Sequence, residues 1–144
     1  SSDFIIGYPG EDEQDFKDTF NLIKKIKFVN SYSFIFSPRP GTVASNLELI
    51  DKKISMERLE KVQNQLFENQ INMNRSLKNK ILNVLVENIT DDKCQVFGRS
   101  EHMTSVKFDG NKSDIGKIVP VRIKNSNRST LFGEKINNSN QRVA

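Results

Sequence analysis

The sequence predicts an α/β unit followed by a small all-β barrel, and three observations carry that reading. A strand, turn, helix and strand follow one another between Asp3 and Thr42. The hydrophobic period then changes from helical to two beyond Lys80. Basic charge collects in the second half alone: residues 1–76 hold 10 Lys and Arg against 11 Asp and Glu, whereas residues 77–144 hold 12 against 7.

Phe4-Ile5-Ile6 is a short apolar run, as expected of a strand covered on both faces. Gly7-Tyr8-Pro9-Gly10 is turn chemistry, since proline fixes φ and glycine permits positive φ. Glu11, Asp12, Glu13 and Asp15 crowd the start of the next element, where negative charge suits a helix dipole. Phe16, Phe20, Ile23 and Ile26 form its apolar stripe, and Lys24, Lys25 and Lys27 suit its C-terminal end. Tyr32 to Phe36 reads as a second strand, stopped by Ser37-Pro38-Arg39-Pro40-Gly41-Thr42. Strand–helix–strand repeats build parallel sheets whose working ends are the loops after the strands. The chain enters this pattern without an upstream cap, so the C-terminal piece of a larger enzyme is expected.

A second helix is expected from Ser55, a plausible N-cap, to about Leu77, with Leu59, Val62, Leu66 and Met73 on one face. From Lys80 the pattern alternates, with Leu82, Val84 and Val86 facing one way and Asn83 and Leu85 the other. Cys94–Arg99, Thr104–Phe108, Lys117–Lys124 and Ser129–Glu134 continue it as further strands. Asn88–Lys93, Asp109–Gly116 and Asn125–Arg128 are turns rich in Gly, Asn and Asp. Five short strands at this spacing predict a five-stranded antiparallel barrel, which removes exposed edges by closing. The expected organisation is residues 1–76, residues 77–137 and a disordered tail, 138–144.

Composition narrows the function classes. With 35% hydrophobic and 28% charged residues the chain suits a soluble protein. No apolar run approaches the roughly 20 residues of a membrane span. A single cysteine excludes an internal disulfide and suits a reducing compartment. The positive balance of residues 77–144 is where a polyanion would be sought.

The quoted motifs carry a specific resemblance. Asp3-Phe-Ile-Ile-Gly-Tyr-Pro-Gly-Glu11 with Tyr32-Ser-Phe-Ile-Phe-Ser-Pro-Arg-Pro-Gly-Thr42 resembles the late strands of the radical-SAM (β/α) barrel in the tRNA methylthiotransferases, most closely the MiaB-type branch. Val96-Phe-Gly-Arg-Ser100, Val106-Lys-Phe108, Ile115-Gly-Lys117 and Ser129-Thr-Leu-Phe-Gly133 resemble the TRAM domain, that family's RNA-binding β-barrel. Val43 stands where that loop commonly has proline, Tyr8 where phenylalanine is frequent, and the Leu47–Ile54 linker is unusual.

The resemblance implies a cytoplasmic, monomeric enzyme that uses S-adenosylmethionine and two 4Fe–4S clusters to place a methylthio group on carbon 2 of isopentenyladenosine at tRNA position 37. It implies the tRNA anticodon stem-loop as partner, with neither DNA nor membrane. Each cluster is anchored by cysteine thiolates, and Cys94 is the only cysteine, so the cluster ligands are expected in another part of the parent enzyme. This chain alone is expected to be inactive, with no catalytic residue of its own. Gly7, Pro9 and Gly10 would lie near the S-adenosylmethionine pocket or simply form a tight turn. Glu11 would meet the ligand or cap the helix. Arg39 would pair with a carboxylate or phosphate, or brace its loop.

In the barrel, Arg99, Lys107, Lys117, Arg122, Lys124 and Arg128 are the candidate tRNA-phosphate contacts, against the plainer reading of solvated charges. Phe97 and Phe108 could stack on bases, but small barrels need large interior residues, so both are expected in the core. His102 reads as a surface histidine and Cys94 as a small apolar strand residue. Two other classes stay open: a free-standing RNA-binding module without catalysis, and a related methylthiotransferase acting on another tRNA base or a ribosomal protein.

Overall fold

The computed structural model describes residues 1–90 and 95–136. Cys94, expected in a strand, and the tail 138–144 lie outside the described residues. The chain divides into two compact units, Ser1–Gln70 and Ile71–Ala144.

In the first unit, β1 (Asp3–Ile6) and β2 (Tyr32–Ile35) pair in parallel, Asp3 opposite Tyr32 and Ile6 opposite Ile35. Between them runs α1 (Glu13–Ile26). Its N-cap is Asp12, not Glu11: Asp15 N donates to Asp12 Oδ1 at 2.8 Å, and Asp12 N donates to Asp15 Oδ2 at 3.1 Å. This reciprocal box satisfies two orphan donors of the first turn. Lys27, left-handed at φ 57°, ends the helix and donates its N–H to the Ile23 carbonyl. The apolar stripe therefore closes at Ile23, and Ile26 is exposed. Phe4, Ile6, Phe16 and Ile23 bury against Val62 and Leu66 of α2 (Lys52–Ser76). Ile5 and Phe34 remain exposed, so only one face of this two-stranded sheet is covered in the chain.

Helix α2 begins earlier than the sequence suggests. Asp51 Oδ1 accepts from Lys53 N at 2.8 Å and Ile54 N at 3.3 Å, which makes Asp51 the cap. Ser55 lies inside the first turn, buried, its hydroxyl donating to the Asp51 carbonyl at 3.2 Å.

The second unit is a closed barrel in the order β3–β4–β5–β7–β6. Its strands are β3 (Ile81–Ile89), β4 (Val96–Ser100), β5 (Ser105–Asp109), β6 (Ile118–Ser126) and β7 (Thr130–Lys135). The expected all-antiparallel arrangement is corrected at one seam: β5 and β7 are parallel, Ser105 opposite Thr130 and Asp109 opposite Glu134. After β5 the chain crosses through a 3₁₀ turn at Lys112–Asp114 to place β6 beside β3, and the β6–β7 hairpin then returns into the gap. With five strands in a closed ring, directions cannot alternate at every seam, so the last strand meets β5 in parallel.

Leu82, Val84 and Val86 face inward with Val96, Val106, Phe108, Val121, Ile123 and Leu131, and Leu77 at the end of α2 joins them. Register shifts at Val86/Asn88 and Ile123/Asn125 bend β3 and β6. Among the described residues, no helix is long and apolar enough to cross a membrane.

Candidate functional site

The turn after β1 is the more constrained of the two loops at the strand ends in the first unit. Gly7 has φ +74°, and a Cβ there would meet Ser55 Oγ at 2.6 Å, so the position requires glycine. Pro9 is buried, Gly10 is exposed at φ +89°, and Glu11 N donates to the Tyr8 carbonyl at 2.9 Å. Glu11 does not cap α1: its Oε2 accepts from Gly7 N at 3.0 Å, closing the turn on itself. Its Oε1 lies 2.7 Å from Nη1 of Arg58, a buried residue of α2 that the sequence reading did not single out.

Arg39 lies in the exposed loop after β2. Its carbonyl accepts from Thr42 N at 3.2 Å and Thr42 Oγ1 at 2.8 Å, which folds the loop back. Among the described residues no carboxylate pairs with its guanidinium, so the charge faces solvent. A cavity of 260 Å³ opens in this unit, lined by Gly7, Ile35, Phe36, Leu49, Ile50, Lys52 and Ser55. It gathers the ends of both strands and the start of α2. Pro9, Gly10, Glu11 and Arg39 are not among its lining residues.

On the barrel, strict alternation decides which side chains face out. Val96, Gly98 and Ser100 of β4 are buried, so Phe97 and Arg99 point outward. Phe97 is therefore half-exposed and not in the core as expected, while Phe108, on the opposite parity in β5, is fully buried. Strand register then builds a row across three strands: Phe97 is opposite Lys107, and Lys107 is opposite Phe132 of β7. A cation flanked by two half-exposed aromatic rings on a barrel wall has the chemistry of a base-stacking platform beside a phosphate contact. Next to it, the Arg99 guanidinium lies over the Phe97 ring at 5.6 Å. Arg99 also donates to the Met103 carbonyl at 3.2 Å and sits 3.8 Å from Glu87.

The remaining candidate cations are distributed around the barrel. Arg122 and Lys124 project from β6, where Glu134 is Arg122's register partner and lies 2.7 Å from Lys124 Nζ. Arg128 sits in the β6–β7 turn, at the end of the barrel where Arg99 and Thr130 stand, and its carbonyl accepts from buried Asn74 at 2.9 Å. Lys117 precedes β6: its N–H donates to the Asp114 carbonyl at 3.0 Å and its carbonyl accepts from Val86 N at 2.9 Å, across β3 from Gly98, the neighbour of Arg99. Arg99, Lys107 and Arg128 are thus drawn to the aromatic row and its end, Arg122 and Lys124 flank Glu134, and Lys117 lies across β3 from the Gly98–Arg99 segment.

Phe132 and Arg58 were missed by sequence reading. Parity could have found the first, because Leu131 and Gly133 bracket Phe132 as Val96 and Gly98 bracket Phe97. Arg58 gives no local signal: a lone arginine in a helix rich in Lys, Glu and Gln reads as solvated. His102 is exposed, as expected, within 4.0 Å of Glu101. Among the described residues no group of three or more His, Cys, Asp and Glu is placed to hold a metal ion.

Comparison with known proteins places these features. Residues 75–136 match the TRAM domain. The whole chain is 64% identical over 144 residues to a tRNA-2-methylthio-N(6)-dimethylallyladenosine synthase of Pelagibacter ubique (strain HTCC1062), covering 100% of this chain and 32% of the relative. Proteins of the same name from Ruthia magnifica subsp. Calyptogena magnifica and Rickettsia akari (strain Hartford) are 44% identical over 137 residues and 39% identical over 136. Those alignments cover 94% and 93% of this chain, and 31% of each relative. The chain thus spans about a third of the length of the curated relatives it matches. The closed barrel is thus consistent with the TRAM domain that residues 75–136 match, and the chain as a whole is similar to about a third of the length of the tRNA-2-methylthio-N(6)-dimethylallyladenosine synthases.

Proposed function

We propose that this chain serves a cytoplasmic, monomeric tRNA methylthiotransferase as its RNA-delivering C-terminal part, the parent enzyme modifying carbon 2 of isopentenyladenosine at tRNA position 37. The observation that carries the reading is the Phe97–Lys107–Phe132 row on the outer wall of the barrel. Stacking on aromatic rings tolerates any base and a central cation holds the phosphate, which suits the splayed bases of an anticodon loop. Arg99 and Arg128 extend the positive surface at one end of that row, with Lys117 across β3 from Arg99, and Arg122 and Lys124 add weaker contacts elsewhere on the barrel.

In this reading residues 1–76 contribute the last strands of a radical-SAM barrel, and residues 77–137 the TRAM domain. The loops after β1 and β2 then face S-adenosylmethionine. The lining of the 260 Å³ cavity fits part of such a ligand: Ile35, Phe36, Leu49 and Ile50 offer apolar walls, and Gly7 brings bare backbone beside the Ser55 hydroxyl. Gly7, Pro9 and Gly10 would shape that wall, with Glu11 setting the turn and Arg39 offering a guanidinium to the ligand's carboxylate or to an RNA phosphate. When bound with its iron–sulfur partner, S-adenosylmethionine supplies the radical that removes hydrogen from an aromatic C–H. The clusters do not fit this chain, whose one cysteine cannot provide their thiolate set.

The test is binding of the 144-residue chain to a tRNA anticodon stem-loop across a salt series. Affinity that falls steeply with salt, and further with Arg99→Glu and Arg122→Glu, is the expected result. No binding at low salt would refute delivery by this barrel. Binding accompanied by wild-type methylthiolation in a parent enzyme lacking residues 77–144 would favour an RNA-binding module independent of the chemistry.

A further inference from the structure

We infer that Arg58 is a positioning residue that fixes the Gly7–Glu11 turn in its ligand-receiving shape, an inference that rests on the reading of that turn as part of the S-adenosylmethionine site. Arg58 stands on α2, far from the turn in sequence, and is 8% exposed. Its Nη1 donates to Glu11 Oε1 at 2.7 Å and to the Glu11 carbonyl at 3.1 Å, and its Nη2 lies 3.3 Å from Glu13 Oε2. The guanidinium also lies over the Phe16 ring at 5.3 Å. The carboxylate it holds is the one whose other oxygen accepts from Gly7 N at 3.0 Å. A single relay, Arg58 to Glu11 to Gly7, therefore ties both ends of the turn to a rigid helix. One turn earlier on that helix, Ser55 fills the space where a side chain at position 7 would sit.

Stability alone gives little reason for this arrangement. A buried ion pair often contributes no more than an apolar pair of the same shape, because desolvation offsets the attraction. Here the cost is higher, since Arg58 Nε is buried without a hydrogen-bond partner. What the arrangement supplies is direction. Nη1 grips the Glu11 carboxylate and the Glu11 backbone carbonyl together, which pins the carboxylate against its own backbone, and in that orientation its other oxygen draws the Gly7 amide into the turn. The backbone beside the cavity is thereby set before any ligand arrives, which is the condition for tight positioning.

The experiment measures S-adenosylmethionine affinity by equilibrium dialysis, anticodon stem-loop affinity and melting temperature, all in the full-length enzyme. Arg58→Ala is expected to weaken S-adenosylmethionine at least about tenfold and leave stem-loop affinity within about twofold, because the barrel is untouched. Glu11→Gln, which removes the charge and keeps the shape, should weaken the same ligand, and Arg58→Lys should recover part of the loss. The double variant Arg58→Ala/Glu11→Gln should be no worse than the poorer single one, as expected of two residues in one relay. Wild-type S-adenosylmethionine affinity in Arg58→Ala overturns the inference. If Arg58→Ala does not fold, wild-type affinity in a Glu11→Gln protein of unchanged melting temperature overturns it equally. Gly10→Val separates the two levels, since it strains the turn directly at a position with positive φ and open space around it. Loss of affinity there, with none in Arg58→Ala, removes the positioning role and keeps the site; no loss in either removes the site itself.

Discussion

Lys135 Nζ lies 2.5 Å from Asp114 Oδ1, joining the last residue of β7 to the 3₁₀ turn that carries the chain from β5 to β6. Asp114 is buried, and its other oxygen accepts from Asn111 N at 3.0 Å. The Lys135 hydrogen bond, and after it the Asn111 backbone bond, hold the Asp114 carboxyl below its ordinary value of 3.8. A depressed folded pKa means that the stabilisation is complete above the ordinary value and is lost as pH falls through the folded one. Asp114→Asn should therefore lower the melting temperature at pH 7 by about 4–8 °C per kcal/mol lost in a domain this small. The gap from wild type should narrow once the pH drops below 3.8. Paired thermal melts at neutral and acid pH check this, and a gap that widens in acid would contradict it.

The aromatic row separates two kinds of RNA contact. Phe97→Ala and Phe132→Ala should each cost about 1–3 kcal/mol in stem-loop affinity, the range for one stacked base. Lys107→Ala should instead reduce the slope of log affinity against log salt by about one. Filter binding at several salt concentrations distinguishes these, and an unchanged affinity for both phenylalanine variants would remove the platform.

Gly98 is inward-facing on β4, where a Cβ would run into the Leu85 carbonyl of β3. The two strands cross closely there, just before the β3 bulge. Gly98→Ala should destabilise the barrel by about 1–3 kcal/mol through forced separation of the strands. A urea midpoint equal to that of wild type would show that the seam can relax.

Asn74, buried near the end of α2, donates to the carbonyls of Asn127 and Arg128 at 2.9 Å each. Asn74→Ala leaves two acceptors of the β6–β7 turn short of this donor, at a cost of about 1–3 kcal/mol. Hydrogen exchange should accelerate first at Thr130 N, whose bond to Asn127 Oδ1 at 2.7 Å depends on the turn's shape. Uniform acceleration over the barrel would instead point to global destabilisation.

Much of this architecture is legible in the residues themselves. Alternation placed Leu82, Val84 and Val86 inside, and the acidic crowd before Phe16 marked the start of α1. What stayed hidden depends on partners distant in sequence. A closed ring of five strands must contain a parallel pair, but which pair it is follows from the gap a hairpin fills, and strand patterns do not encode that choice. Ser55 resembled a cap because Ser caps often, but Asp51 stands nearer the true start and competes better. Phe97 was misplaced by weighing its size above its parity. Arg58 could not be found, because its meaning lies in a turn some 47 positions earlier.

The place of β7 between β5 and β6 has a consequence for synthesis. The barrel's final strand is an interior member of the cylinder and not an appended edge. A nascent chain stopped between Ser126 and Thr130 would expose two raw strand edges at once, those of β5 and β6, and would lack Phe132. Such a product would be a substrate for proteases more than a weak RNA binder. Synthesis of β7 thus acts as a checkpoint, since only a chain that includes it presents the full aromatic row.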